Sequence, residues 1–423
     1  MKPLHDSSVA LKDDLTSPVQ AAASTVLPET PGRARCTNRT VFFVVGFLLL
    51  TSGWATNHFS TMVAVLREQE HFAPMVVNGA FGIYALGLVP SLLGGGLVAD
   101  RVGPRPVVLT GALAAAAGNG LLLWWQTAAG LLIGRFVIGL GVGLAMSAGT
   151  AWAGKLRGSS GVILAGILLT TGFAVGPIVS GILAHALSEQ AAVAAPFIVA
   201  MCLSCVAVIA SVLINNKQPH NATTDSLSPP MNPSAQQSMA RALATSIPMA
   251  LWVFSTASIA LVTLTERVST NLDAGVLLPG IAALLAFSAG LAAQALARRF
   301  NWGPKTGVIA AVFAAAGFII TGLGSSAPPL WLFVIAAVLL GTAYGMALRE
   351  GLVDVERYAP GARRGTTLGI YYVFTYLGFG LPVLLQWLLP VTGYVWPLLI
   401  LGALALGCAL VRAAQCRHGV LAR

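Results

Sequence analysis

Long apolar stretches separated by short polar segments run along the chain from about residue 41 onward. A helix needs about 20 mainly apolar residues to cross the hydrocarbon core of a bilayer. Twelve stretches meet that length, so the pattern predicts an all-α integral membrane protein with 12 transmembrane helices. The predicted helices, numbered 1 to 12, lie near 41–66, 75–98, 106–127, 129–153, 160–187, 191–214, 243–265, 275–297, 305–325, 329–349, 366–389 and 391–412.

A polar segment that contains Pro229, Pro230 and Pro233 divides the predicted helices into two sets of six. Such composition is typical of a linker. The first apolar run begins too late for a cleaved signal peptide, so it is expected to remain as helix 1. The predicted organisation is a cytoplasmic N-terminal tail (1–39), a six-helix bundle (40–214), a cytoplasmic linker (215–241), a second six-helix bundle (242–413) and a cytoplasmic C-terminal tail (414–423).

Charged residues make up only 9% of the sequence, yet the net charge is +10. Lysine and arginine concentrate on the cytoplasmic side of multi-pass membrane proteins. With both termini inside, all but three of the 24 lysines and arginines fall on the inner side; Arg67 and Arg267 lie outside, and Arg135 lies within a span. Topology and anionic lipid headgroups account for this charge, so we expect a multi-pass protein of the inner (plasma) membrane and no nucleic-acid partner.

The segment between helices 2 and 3 combines charge with a tight turn. Gly96 and Asp100 stand near the inner end of helix 2, and Arg101, Gly103 and Arg105 follow. The Asp100 carboxylate can pair with Arg101 or Arg105. Such a cluster can latch one conformation of a moving protein and release another; the alternative is a static charged turn.

These five residues match the pattern G-x-x-x-D-R-x-G-x-R, and the segment resembles the signature loop of the major facilitator superfamily. Pro104 replaces the basic residue commonly found there, which weakens the cluster. Gly303, Pro304 and Lys305 repeat the turn in the second half, but Phe300 occupies the position of the acid. The resemblance implies the superfamily fold, two pseudo-symmetric six-helix bundles, with an asymmetric latch.

Helix 4 places Arg135 in the membrane, followed by Gly139, Gly141 and Gly143. A charge at the bilayer centre costs about 2.5–3.5 kcal/mol on insertion scales, so Arg135 requires a polar cavity, a carbonyl or an anionic partner. The superfamily's helix 4 motif also has an arginine followed by glycines, and the resemblance implies a role for Arg135 in proton coupling or substrate contact. The alternative is an arginine that snorkels to the outer interface.

Helix 5 contains Gly172, Gly176, Pro177 and Gly181 within one apolar run. Proline removes a backbone hydrogen bond and glycine permits close helix contact, so this helix can bend and act as a hinge or gate. The pattern resembles G-x-x-x-G-P-x-x-G-G, the antiporter motif of the superfamily's exporters, with Ser180 in place of one glycine. The resemblance implies export, and a merely kinked structural helix is the alternative.

Helix 11 offers a looser counterpart from Gly378 to Pro382, preceded by Tyr371, Tyr372 and Tyr376. These tyrosines line a cavity, or they pack against neighbours with their hydroxyls bonded locally. Just before helix 11, Asp354 is expected to belong to a solvated inner cluster with nearby arginines.

Few residues of the predicted helices can couple transport to protons. The 14 acidic residues lie in tails, in loops or near helix ends; Glu266 at the outer end of helix 7 and Glu350 at the inner end of helix 10 are the nearest candidates. His58 can titrate near neutral pH, and Asn57 and Tyr84 could share a polar path with it. The alternative for His58 is a hydrogen-bonded packing residue.

The leading hypothesis is a secondary exporter of a small amphipathic or hydrophobic molecule, such as a drug or a siderophore-like metabolite, working by proton antiport and alternating access. The alternatives are an importer or facilitator of a small nutrient and, from another class, a membrane sensor or receptor. The sequence contains no metal-ligand cluster, phosphate-binding loop or convincing Ser/His/Asp set, so we expect no enzyme activity, cofactor or metal. The expected partners are a small-molecule substrate, protons and the lipid bilayer, and the protein is expected to act as a monomer.

Overall fold

The structure, a computed structural model, describes residues 31–214, 237–269, 275–324, 328–360 and 363–421. Most of the predicted N-terminal tail (1–30), most of the linker (215–236) and the last two residues (422–423) lie outside the described residues. We keep the orientation predicted from the positive charges and refer to the predicted inner and outer ends of the helices.

The apolar pattern correctly predicted the number and places of the helices, since the described residues form 12 helices that are long and apolar enough to cross a membrane. Helices 1 to 6 are Arg39–Glu68, Pro74–Val102, Pro104–Trp124, Ala128–Gly158, Ser160–Ala186 and Gln190–Leu213. Helices 7 to 12 are Met239–Val268, Gly275–Arg299, Lys305–Leu323, Leu330–Tyr358, Thr366–Thr392 and Val395–Arg417.

Local sequence explains where several helices begin. Helices 2 and 3 start with proline, whose fixed φ angle suits the first helical turn and whose missing N–H would have no helical partner there. Gly103 between them adopts a φ of 88°, which favours glycine. The hydroxyl of Thr127 accepts a hydrogen bond from the Gly130 N–H at 3.2 Å, and Ser238 accepts one from the Arg241 N–H at 3.1 Å, so both side chains cap helix N-termini.

Several helices extend beyond their predicted inner ends, and helix 10 extends the furthest. Helix 10 continues to Tyr358 and helix 12 to Arg417, past the predicted ends at 349 and 412. Charged side chains after the apolar run of helix 10 suggested a loop, but the backbone remains helical through them. Glu350 and Asp354 therefore lie within helix 10 and are buried.

Helices 1–6 pack mainly against one another, as do helices 7–12, which gives the two halves of the molecule. Large apolar side chains such as Leu213 and Val391 are exposed on the perimeter, as expected for a surface facing lipid. The halves meet mainly through helices 5 and 8, helices 2 and 11, and helix 1 with helices 7 and 8. A site between the halves is thus formed by these helices.

Three of these contact helices depart from regular α geometry. Helix 1 is interrupted at His58, helix 7 has a π-helical turn at Ile259–Thr263, and helix 11 has a 3-10 turn at Leu377–Gly380. Such irregular turns inside long helices often accompany functional sites.

Candidate functional site

Side chains of helix 1 bind the kinked backbone of helix 5. Pro177 has no N–H, so the Phe173 carbonyl four residues earlier lacks its usual helical donor. The Asn57 side-chain amide donates to the Phe173 carbonyl at 3.1 Å, and the Thr61 hydroxyl donates to the Pro177 carbonyl at 2.8 Å. We call this arrangement the first clamp. The structure thus places Asn57, predicted to line a polar path, between helices 1 and 5.

The second half contains a corresponding arrangement. Pro382 has no N–H, so the Gly378 carbonyl accepts from the Leu381 N–H in the 3-10 turn and not from an α-helical donor. The Ser258 hydroxyl of helix 7 donates to that carbonyl at 2.7 Å. We call this the second clamp. The sequence pointed to the glycines and proline of helix 11, but nothing local identified Ser258, which lies 120 residues away.

The glycines predicted to form a gate in helix 5 face two different partners. A methyl group at Gly172 would overlap the backbone of helix 1 at Leu50, and one at Gly176 would lie 3.2 Å from Trp54 Cα. Gly181 instead faces helix 8, where an added methyl group would lie 3.3 Å from the Val276 carbonyl oxygen. Helix 5 therefore approaches helix 1 within its own half and helix 8 of the other half.

Arg135 is fully buried and does not reach an interface. Its Nε donates to the Ala80 carbonyl at 3.2 Å, and its Nη1 donates to the Thr56 carbonyl at 3.3 Å. The guanidinium carbon lies 4.5 Å from the ring centroid of Phe59 and 4.6 Å from that of Tyr84. Carbonyls and ring faces stabilise the cation, while its Nη2 has no hydrogen-bond partner. Within the described ranges no carboxylate forms an ion pair with Arg135.

Tyr84 connects Arg135 to the second half. Its hydroxyl hydrogen-bonds the Thr56 hydroxyl at 2.9 Å. Its ring lies beside the guanidinium on one side and 5.7 Å from the Phe379 ring of helix 11 on the other. The buried cation is therefore one aromatic ring away from the boundary between the halves.

His58 lies inside the first half, where helix 1 is interrupted. Its Nε2 donates to Asn119 Oδ1 at 2.9 Å, since the Asn119 amide nitrogen itself donates to the Ala115 carbonyl. The imidazole also makes an edge contact with Phe197 at 5.6 Å between centroids. These contacts correspond to the hydrogen-bonded packing residue that we set out as the alternative.

Aromatic rings fill the centre of the boundary between the halves. Phe379 of helix 11 contacts Phe81 of helix 2 at 5.2 Å and Phe254 of helix 7 at 4.8 Å between centroids. Helices 5 and 8 add the pair Phe173 and Phe287 at 5.6 Å. We call the following eight buried rings the aromatic cluster: Phe81, Tyr84, Phe173, Phe254, Phe287, Tyr344, Tyr376 and Phe379.

The predicted tyrosines of helix 11 separate into two environments. Tyr371 donates to the Leu348 carbonyl of helix 10 at 3.3 Å and packs inside the second half. Tyr376 belongs to the aromatic cluster, and its hydroxyl approaches the Met146 sulfur of helix 4 at 4.0 Å. Tyr376 therefore reaches the first half through this contact, and the Tyr372 ring packs against the rings of both Tyr371 and Tyr376.

Glu266 joins the two halves at the predicted outer end. Its carboxylate pairs with Arg67 of helix 1 at 2.7 Å and accepts a hydrogen bond from the Asn78 side-chain amide of helix 2 at 3.5 Å. The Tyr394 hydroxyl, between helices 11 and 12, donates to it at 3.5 Å. Burial and the nearby Glu266 carboxylate raise the pKa of Tyr394 to about 12, so the hydroxyl remains a donor at physiological pH.

A small pocket of about 30 Å³ adjoins this ion pair, between helices 1, 7 and 8. That volume holds about one or two water molecules. Its polar lining is supplied by Ser60, Arg67, Glu68, Thr265 and Glu266. The halves are thus closely joined at this end.

Glu350 belongs to a buried charged cluster in the second half. Arg412 of helix 12 pairs with Asp354 at 2.6 Å and with Glu350 at 3.5 Å, and Arg349 pairs with Glu350 at 2.6 Å. Arg412, Glu350 and Asp354 are fully buried. Two expectations were therefore wrong. Asp354 is not in a solvated cluster, and Arg135 is not the single buried cation.

The predicted latch between helices 2 and 3 lacks its expected ion pair. Asp100 and Arg101 are exposed, and among the residues that the structure describes no ion pair joins Asp100 to Arg101 or Arg105. Arg105 instead donates from Nη2 to the carbonyl of Ser211 at 2.7 Å, at the end of helix 6. Gly96 packs toward helix 4. The loop is fastened within the first half by Arg105 and the turn at Gly103.

The architecture defines a class of protein. Two six-helix halves, kinked helices where they meet, and an irregular backbone near the membrane centre are typical of secondary transporters. The family model of the Major Facilitator Superfamily matches residues 42–381, and the chain belongs to this superfamily. The protein is therefore a multi-pass membrane transporter of this superfamily, as the resemblance of the loop between helices 2 and 3 implied.

Solved transporters share the fold at low sequence identity. A POT family transporter in complex with a thioalcohol-conjugated peptide is 14% identical, with a TM-score of 0.73 over 89% of this chain and 96% of that chain. The peptide transporter POT in complex with sulfate is 15% identical, with a TM-score of 0.70 over 91% and 95%. A variant of the nucleoside transporter NupG is 14% identical, with a TM-score of 0.69 over 89% and 99%. Among curated proteins, none matches the sequence.

Proposed function

We propose that the protein moves a small organic molecule by alternating access, with the substrate bound between the halves. The proposal rests on the kind of contacts that join the two halves. Among the described residues, ring contacts, glycine contacts, one ion pair and the long hydrogen bonds of Asn78 and Tyr376 hold the halves together, whereas backbone hydrogen bonds hold each helix. Ring pairs contribute about 0.5–1.5 kcal/mol each, so the halves can separate at far lower cost than the helices can unfold.

A small nutrient has better support as the substrate than a drug. The similar solved structures include transporters of peptides and nucleosides, which are nutrient-type molecules. Their number and shared fold support the alternative set out from the sequence over its leading hypothesis of export. Uptake or facilitated passage of a small nutrient is therefore the first candidate.

Export of an amphipathic molecule is the second candidate because of the pattern in helix 5. Gly172, Gly176 and Pro177 bring this helix against helix 1, and Gly181 brings it against helix 8. A bend there would move one half relative to the other, as the resemblance to the antiporter motif implies. This geometry serves either direction of transport, and only the sequence pattern favours export.

Glu266 is the best placed residue for proton coupling. Its ion pair with Arg67 bridges the halves at the predicted outer end, so protonation of the carboxylate would remove an attraction that keeps this end closed. Glu350 is less suitable because its partners Arg349 and Arg412 belong to the same half. In the proposed orientation both termini are cytoplasmic, so a proton arriving from outside meets Glu266 first.

Transport by proteoliposomes tests the proposal. Vesicles containing the purified chain would receive a dipeptide, a nucleoside and a fluorescent amphipathic dye under an imposed pH gradient. Accumulation of the dipeptide or nucleoside on the alkaline side supports uptake with protons, and accumulation of the dye on the acidic side supports export by proton antiport. Glu266→Gln is expected to abolish the gradient dependence, whereas Glu70→Gln, an exposed acid on the same side, should not. Movement that ignores the gradient in the unaltered protein would contradict coupling.

A further inference from the structure

We propose that the site between the halves selects a flat aromatic molecule bearing a single negative charge. This inference rests on the proposed function and names the class of its substrate. It is carried by three stacked rings at the boundary and by a buried guanidinium one ring away.

Tyr376 lies nearly parallel to two other rings of helices 7 and 11, Phe254 and Phe379, which are tilted by 39° to each other. Phe254 and Tyr376 are stacked at 4.6 Å with 23° between their planes, and Tyr376 and Phe379 are stacked at 5.9 Å with 16° between their planes. Flat ring faces of this kind bind flat partners well, because stacked arrangements add to the burial of apolar area. The geometry favours a planar body over a saturated or branched one.

The same rings hold the halves together in this conformation. Phe379 contacts both Phe81 and Tyr84 of helix 2, so separation of the halves uncovers its face. An aromatic substrate would replace these contacts as they break. A saturated molecule of the same size would fill the volume but would not restore the ring contacts.

The charge of the substrate follows from Arg135. The guanidinium is fully buried against Tyr84, its Nη2 is without a hydrogen-bond partner, and within the described part of the chain no carboxylate pairs with it. An anionic group on the substrate would supply the missing partner once the Tyr84 ring, released from Phe379 by separation of the halves, turns away from the guanidinium. A single cation favours one negative charge over two.

The buried acids argue against a cationic or zwitterionic substrate. Glu266, Glu350 and Asp354 are each paired with an arginine. An ammonium group placed among the aromatic rings would therefore have ring faces but no free carboxylate as its partner. The order of preference expected is aromatic monoanion, then neutral aromatic, then dianion or zwitterion.

Binding of four related compounds to the purified full chain in nanodiscs tests the inference. The probe is naphthoate, and the comparison compounds are naphthamide without the charge, decalin carboxylate without the flat rings and naphthalene dicarboxylate with a second charge. Naphthoate is expected to bind about tenfold or more tighter than naphthamide, from one charge-assisted hydrogen bond. It is expected to bind about threefold to tenfold tighter than decalin carboxylate, from the stacking contacts.

Single-residue variants test which residue produces each of these binding preferences. Arg135→Gln should abolish the preference over naphthamide, and Arg135→Lys should retain part of it if the glutamine variant does not fold. Phe379→Leu should abolish the preference over decalin carboxylate. The matched control is Phe318→Leu, a fully buried ring that packs on Trp252 outside the aromatic cluster, and both preferences should survive it.

Three outcomes overturn the inference: no binding of naphthoate, equal binding of naphthoate and naphthamide, or equal binding of naphthoate and decalin carboxylate. Its failure is distinguishable from failure of the proposed function. Transport of the dipeptide or nucleoside without binding of naphthoate would leave the transporter proposal standing and overturn the aromatic monoanion. Selective binding of naphthoate by a protein that moves neither naphthoate nor the dipeptide, nucleoside or dye across the vesicle membrane would support the site and overturn its proposed use.

Discussion

Replacement of Asn57 by alanine is expected to destabilise the first half by an amount that depends on Pro177. In the unaltered protein, Asn57 supplies the hydrogen bond that the Phe173 carbonyl lacks, at 3.1 Å. Hydrogen bonds between membrane helices average about 0.6 kcal/mol and reach about 1.7 kcal/mol. Because the carbonyl has no helical donor and Asn57 is buried, we expect a value near the upper end, a factor of roughly ten in the unfolding equilibrium.

Pro177→Ala provides the test of this mechanism. The new backbone N–H at position 177 can bond the Phe173 carbonyl, so Asn57→Ala should cost about 1 kcal/mol less in that background than in the unaltered protein. Unfolding free energies from denaturant titration in mixed micelles would measure the four states of the cycle. The matched control is Ser60→Ala, because the Ser60 hydroxyl bonds only within helix 1, to the Asn57 carbonyl at 2.8 Å. Equal losses for Asn57→Ala in both backgrounds would refute the first clamp.

Three further predictions concern packing and charge. Arg412→Met should destabilise the chain by about 3–5 kcal/mol in thermal or denaturant unfolding, since it leaves two fully buried carboxylates without their shared partner; a loss below 1 kcal/mol would show that the cluster is hydrated. Gly172→Ala should lower the free energy of unfolding by about 1–3 kcal/mol, because the added methyl group overlaps helix 1. Gly166 has open space around it, so Gly166→Ala should leave the free energy of unfolding unchanged, and equal effects of the two substitutions would contradict the contact. The pKa of Tyr394 is raised to about 12, so the unfolded chain loses this proton first and stability should fall as pH rises from about 10 to 12. Tyr394→Phe should remove that part of the fall in a pH series of unfolding curves, and an unchanged series would contradict the burial of the hydroxyl beside Glu266.

The number and places of the helices could be predicted because membrane crossing is a local property of about 20 consecutive residues. The inner end of helix 10 could not be predicted in this way. Its charged residues resembled a loop, and the partner that lets them remain buried, Arg412, lies 62 residues from Glu350. The signal available in the sequence was Arg412 itself, a cation within the last predicted helix, which needs buried acidic partners.

Individual residues of the candidate site could be predicted from the sequence, but the contacts between them could not. Pro177 and Arg135 stand out in a sequence because their chemistry is costly in a membrane helix. Their partners do not, since Asn57 and the Phe173 carbonyl are 116 residues apart. The ring contacts of Phe254 and Phe379 were missed for the same reason, because aromatic residues in apolar helices carry no local sign of what they pack against.

Alternating access, the central claim, is tested most directly by two distances between spin labels across the halves. Labels at Glu70 and Trp396 report on the predicted outer end, and labels at Val102 and Phe300 report on the inner end; all four positions are exposed. The measurement would use the full chain in nanodiscs, without its native cysteines, at several pH values. We predict two populations, in which a longer outer distance accompanies a shorter inner distance. Two distances that stay single and unchanged, or that lengthen together, would contradict the account.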